Sequence, residues 1–180
     1  VAPHQIRVIG DPVLRRPATD VTDVDAAFVR LTDDMFTTMY EALGIGLAAP
    51  QVGVQKRFFV YDHGDGAGVI LNPRIMESDG EWAYEEGCLS VPGLFWEIVR
   101  PKRIHLVGRD LDGNEVSIEA DEVEARLFQH EIDHLDGILL IDHLDDDRRR
   151  EARRTLREMT MSRLATSPAG GPSDGGLRLP

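Results

Sequence analysis

Apolar residues from Asp23 to Leu43 recur at Val24, Phe28, Leu31, Met35, Met39 and Ala42, the three-to-four spacing of one helix face. Thr22 or Asp23 fits the N-cap of this helix and Gly44 its stop, and the apolar face predicts packing on a sheet. The residues before it read as an irregular lead-in, with Gly10-Asp11-Pro12 and Pro17 as turn markers. Beyond the helix the period changes. Residues 57–62 and 69–72 read as strands divided by the turn at Gly64-Asp65-Gly66. Pro73 is expected to end the second strand or to put it at a sheet edge. The segment from there to Trp82 has no clear period, and Pro92-Gly93 reads as a turn. Residues 103–109 and 115–119 pair as a hairpin around Asp112-Gly113-Asn114, with Ile104 and Leu106 facing Val116 and Ile118.

A second helical pattern opens at Asp121 as cap, with Glu124 three residues on as in a capping box, and stops at Gly137. Val123, Leu127, His130 and His134 follow one another at steps of four, three and four. Both histidines therefore continue the apolar face and point inward. A third helix is expected from Asp145-Asp146-Asp147 to about Leu164, acidic at its start and rich in arginine later, as suits the helix dipole. The pattern predicts an α+β fold: antiparallel β-sheets packed around a central helix that carries the histidines, with an N-terminal and a C-terminal helix. Residues 1–164 read as one domain and 165–180, rich in Gly, Pro and Ser, as a disordered tail.

Composition narrows the possible partners. The formal net charge is −12, which argues against broad binding to DNA. The basic exception is 148–164, where seven arginines stand against Glu151 and Glu158. This stretch reads first as a solvated helix face, and second as a local contact for phosphates. No apolar run approaches a membrane span, and the start of the chain lacks the basic and apolar regions of a secretory signal. Cys88 is the single cysteine, so an intrachain disulfide is impossible and a reducing, cytoplasmic setting is expected.

His130-Glu131-Ile132-Asp133-His134 spells H-E-x-x-H. Two imidazoles four residues apart on a helix can share one metal ion, and the glutamate can handle the proton of a coordinated water. The competing reading is a chance spacing of two core histidines. A catalytic metal of this kind needs a third protein ligand. A histidine six residues after the second is one known extension, but Leu140 stands there and His143 lies beyond the helix stop. Glu151 and Glu158 are available downstream but sit among arginines. Cys88 is the better candidate, since Gly87 allows close backbone approach and a thiolate suits a borderline divalent metal. A small buried hydrophobe is the bland reading of the same cysteine.

Three motifs taken in order carry more weight than any one. Gly44-Ile45-Gly46-Leu47-Ala48-Ala49-Pro50-Gln51, Glu86-Gly87-Cys88-Leu89-Ser90 and Gln129-His130-Glu131-Ile132-Asp133-His134 resemble those of the peptide deformylase family. The resemblance extends over about residues 4–145 and includes the lead-in Ile9-Gly10-Asp11-Pro12-Val13-Leu14. It implies a cytoplasmic bacterial hydrolase that removes the formyl group from the N-terminal formyl-methionine of nascent chains and releases formate. Cys88, His130 and His134 would hold one divalent metal, Fe2+ in the cell, with Zn2+, Ni2+ or Co2+ able to replace it. Glu131 would be the general acid/base, and the Gln51 amide and Leu89 N–H the oxyanion donors. Gly44, Ile45, Gly46, Glu86 and Gly87 are expected along the bound peptide, with Ile45, Val123 and Leu127 around the methionine side chain. Asp133, on the far side of the helix, is expected to pair with Arg100. Contact between the arginine-rich helix and the ribosome is a further expectation. The alternatives are a zinc peptidase that cleaves internal peptide bonds and a metal-binding module without catalysis.

Overall fold

Strand β2, Phe58–Asp62, has no face left for water along its first three residues: Phe58, Phe59 and Val60 are all 0% exposed. Its alternation serves two cores. Phe59 and Tyr61 face helix α2 (Glu122–Leu135), where their rings lie 5.7 and 5.0 Å from that of Phe128. Phe58 and Val60 face the other way, among Met35 and Met39 of helix α1 (Ala26–Glu41). Each such fully buried side chain is worth about 1.5–3 kcal/mol over an exposed one. Around β2 the computed structural model, which describes residues 2–166 with the last four by backbone alone, builds a five-stranded antiparallel sheet. Its order is β1 (Gly46–Ala48), β2, β3 (Ala67–Asp79), β6 (Arg103–Arg109) and β7 (Glu115–Asp121). A separate ribbon pairs β4 (Trp82–Cys88) with β5 (Val91–Arg100). It packs with the lead-in, the turn at Leu140–His143 and helix α3 (Asp146–Thr166) around Leu14, Ile98 and Leu140.

The α+β class, the antiparallel pairing and all three helices are as expected, with local corrections. Asp25 caps α1, its carboxylate accepting from Phe28 N at 2.8 Å, so the helix starts later than a cap at Thr22 or Asp23 would require. Leu43, at φ 57°, makes the left-handed exit that was expected of Gly44. Gly44 is needed instead for close approach, since a Cβ there would stand 2.8 Å from Leu89 Cδ1.

The strand expected to stop at Pro73 runs on to Asp79 and lies inside the sheet, between β2 and β6. Proline is tolerated because the register shifts between Leu71 and Arg74, where no ladder N–H is required. Asn72, at φ 50°, fills that shift, and its amide both donates to and accepts from the backbone of Val21. The ribbon turns at Leu89-Ser90, and Pro92-Gly93 lies within β5. In the β6–β7 hairpin Leu106 faces Ile118 as expected, but Ile104 faces Ala120 and Val116 faces Gly108. The loop is longer than its central turn, because the Asp110 carboxylate holds the N–H groups of Asp112 and Asn114. Asp121 caps α2 through Glu122 N, while Glu124 reaches His63 Nε2 at 3.1 Å and makes no capping box. Helix α3 continues to Thr166, and the rest of the expected tail lies outside the described residues.

Candidate active site

Helix α2 crosses beneath the sheet with His130 and His134 one turn apart, and their Nε2 atoms converge to 3.2 Å. Cys88 ends β4, where a register shift after Gly87 turns its side chain toward the helix. Its Sγ lies 3.2 Å from His134 Nε2. The three donor atoms fall within 4.8 Å of one another, and no other group of three or more such ligands occurs among the described residues. Two metal–nitrogen bonds of about 2.0–2.1 Å at a tetrahedral angle separate their nitrogens by about 3.3 Å, so the spacing suits one cation. The donor chemistry suits it too. Burial pushes the Cys88 thiol up, but the charges of His134 and His130 win and bring it down to about 5, so sulfur is available as thiolate. A thiolate with two imidazoles is a donor set for a borderline divalent metal.

Against His130 stands Glu86, 1% exposed. Its Oε1 lies 2.6 Å from His130 Nδ1 and accepts from Arg100 Nη2, and its Oε2 accepts from Arg100 Nε and from Arg126 Nη1 at 2.7 Å. Burial alone would raise this carboxyl. The hydrogen bonds from His130 and Arg100 overcome it and hold Glu86 far below the usual carboxylate range. The bond to Nδ1 leaves His130 Nε2 free for metal and sets the ring plane. Arg100 also reaches Asp133 Oδ2 at 2.8 Å, the pairing expected from sequence, and His143 Nε2 lies 2.7 Å from the same oxygen.

Glu131 lines a cleft with His130, Ile45, Gly46, Gln51, Gly87, Leu89 and Leu127. Burial pushes its carboxyl up to about 7, and its Oε2 has no hydrogen-bond partner. Gln51 lines the same cleft from the short turn Ala49–Val52. Its Oε1 accepts from Ala48 N at 2.8 Å, which directs Nε2 toward Ser90 Oγ at 3.2 Å and Cys88 Sγ at 3.9 Å. Gly46 makes the room. A Cβ there would stand 2.5 Å from Leu127 Cδ1 and closer still to Glu131 Oε1. Gly46→Ala should therefore displace Glu131 and lower kcat roughly a hundredfold, the cost of an ångström at a reacting group. Its Tm should stay within a few degrees of the parent. Steady-state kinetics with a melting curve checks this, and an unchanged kcat would refute it.

Of the residues expected along the substrate, Ile45, Gly46, Gly87 and Leu127 line the cleft. Gly44 packs on Leu89 beside it, and Val123, half-buried a turn further back, is not in the lining. Glu86 also lines the cleft, but its oxygens are committed to His130 and the two arginines. Arg126 escaped the sequence reading. It is 1% exposed, donates to Glu86 and to Ile98 O, and lies 5.0 Å over the Trp82 ring. Its place one turn before His130 was the available signal, masked by its charge.

A buried carboxylate beside a Cys-His-His donor set, with an amide aimed across the cleft, is the equipment of a metal-dependent hydrolase. Residues 3–150 match the family described as polypeptide deformylase. The peptide deformylase of Halothermothrix orenii is 53% identical over 140 residues, which cover 77% of this chain and 91% of that one. The crystal structure of a peptide deformylase from Legionella pneumophila superposes with a TM-score of 0.85 at 40% identity, over 92% of this chain and 99% of that one. That of Thermotoga maritima peptide deformylase gives a TM-score of 0.77 at 48% identity, over 79% and 97%. The chain belongs to the peptide deformylase family, metal-dependent hydrolases that remove N-formyl groups.

Proposed function

We propose that the cleft binds the formyl-methionyl end of a newly made polypeptide and releases its formyl group as formate. Cys88, His130 and His134 would hold the metal, which would supply Lewis acidity to activate a water molecule and polarise the formyl carbonyl. The observation that carries the reading is the Glu131 carboxylate, buried, unpartnered at Oε2 and facing the cleft beside the metal ligands. Glu131 takes the proton of the attacking water and returns it to the departing α-amine. The Gln51 amide and the Leu89 N–H stabilise the oxygen as charge develops on it. Main-chain groups of Gly44, Ile45 and Gly46 run beside the peptide at the free edge of β1. Ile45 and Leu127 receive the methionine side chain, with Val123 behind them.

Iron(II) is the metal we assign in the cell, since a thiolate with two imidazoles accepts it, and the cytoplasm is the setting. Glu151 and Glu158 are exposed on α3, which disfavours a peptidase with a carboxylate as third ligand. Treatment with a chelator should abolish formate release from a formyl-methionyl peptide. Anaerobic addition of Fe2+ should restore more activity than Zn2+. Metal-bound protein that cleaves internal bonds without releasing formate would overturn the assignment. Contact with the ribosome through Arg148, Arg150, Arg153, Arg154 and Arg157, all exposed, predicts co-sedimentation that weakens steeply with salt. Salt-insensitive or absent co-sedimentation would refute that contact.

A further inference from the structure

The lead-in before α1 touches each of the three segments that build the site. Arg7 N donates to Gln51 O at 2.7 Å, Ile9 N to Ser90 O at 2.7 Å, and Ala18 N to Leu135 O at 2.8 Å. Gln51 carries the amide donor, Ser90 follows Leu89, and Leu135 follows His134. Side chains reinforce the path. The Arg7 guanidinium lies over Gly53, where an added Cβ would stand 3.2 Å from Nη2. Leu14 is fully buried with Cys88, Val91 and Leu140. Gln55 Nε2 donates to Val13 O at 2.8 Å, and Arg15 pairs with Asp142.

We propose that residues 7–9 are a positioning strap that sets the distance between the two oxyanion donors. This rests on the roles given above to Gln51 and Leu89. The donors come from different segments, one on the turn after β1 and the other on the turn between β4 and β5. Side chains bridge these turns through Gln51 Nε2 and Ser90 Oγ at 3.2 Å, a contact made by the catalytic amide itself. The strap supplies a bridge that spares that amide. Two residues of chain span at most about 7 Å, so one covalent link with an N–H anchored at each end limits how far the two turns can separate. Tetrahedral intermediates need donors fixed within hydrogen-bond range of one oxygen. A strap made of backbone bonds holds that geometry while the Gln51 amide turns to substrate. The third anchor, Ala18 to Leu135, lies at the C-terminal end of α2 beside His134 and holds the helix rather than the oxyanion pair.

Backbone esters test this, because replacing one N–H by oxygen deletes a donor and leaves the side chain in place. Esters at positions 7 and 9 should each lower kcat for a formyl-methionyl tripeptide roughly tenfold or more, given the sensitivity of catalysis to ångström shifts. KM and metal content should not change. An ester at position 18 should lower Tm about as much as the esters at 7 and 9 while costing clearly less kcat than they do. Equal kcat losses at all three positions, or losses at none, would overturn the proposal. Gln51→Leu in the same assay separates the two ideas. If it costs nothing, the oxyanion role fails and the strap with it; if it costs kcat while the esters at 7 and 9 do not, the strap alone fails. Hydrogen exchange on the unaltered protein needs no variant to fold. The Arg7 and Ile9 amides should exchange as slowly as those of α2, and exchange at the rate of a free terminus would also overturn the proposal.

Discussion

Glu131→Gln should bind its metal and lose formate release by about 10²–10⁴-fold, the range that general acid–base catalysis supplies. The amide keeps the size and place of the carboxylate but cannot take a proton from water or return one to the leaving amine. KM should change little, because the role proposed for Glu131 is on the reacting atoms and the cleft walls remain. Stability should hold or rise. The side chain is 3% exposed, its Oε2 has no partner, and burial raises its carboxyl to about 7, so a neutral replacement removes an ionised group the fold resists. Metal analysis, a melting curve and formate assay on one preparation decide the matter. Turnover above a tenth of the parent's would exclude Glu131 as the proton carrier, and loss of metal would make it a ligand or its support.

Glu86→Gln should be the most damaging change to the fold near the site. It leaves Arg100 and Arg126, 4% and 1% exposed, facing a neutral amide where they now share one carboxylate. Breaking a buried pair from one side costs about 3–5 kcal/mol, which for a domain of this size lowers Tm by on the order of 10 °C. His130 also loses the anion that orients its ring, so metal affinity should fall roughly 10–100-fold. The pH dependence has a definite sign. Glu86 is held far below its ordinary value, so its stabilisation is complete above the usual carboxyl pKa of about 4.3 and fades as pH falls toward the depressed one. The Tm gap between parent and variant should therefore be constant from pH 7 to about 5 and narrow in stronger acid. A gap that widened in acid would contradict the assignment of charge.

How much of this was legible in the sequence depends on how local each cause is. Helix α2 was legible because period, cap and stop all lie within its own residues, and H-E-x-x-H needs only a helical repeat to bring His130 beside His134. Cys88 lies far along the chain from both, so residue chemistry made it a candidate and the family resemblance gave it a role. The β4–β5 ribbon was obscured by the site it serves. Glu86 is charged yet 1% exposed, so the strand that carries it lacks the apolar alternation of a buried strand. Arg126 was missed for the same reason: a pattern of apolar and polar letters places an arginine outside, and its partners come from two other strands. Pro73 misled because the register shift that accommodates it depends on pairing with β6.

The two-sided burial of β2 bears on how the chain avoids misassembly. A strand with one wet face can slide by one residue and lose a single core. Sliding β2 would carry Phe58 and Val60 to the α2 side and Phe59 and Tyr61 to the α1 side at once, so both layers would be mispacked together. The penalty for a wrong register is thus doubled at the strand next to β1, whose Gly46 borders the cleft. Fidelity of pairing there protects the close approach of Gly46 to Glu131, on which the proposed chemistry depends.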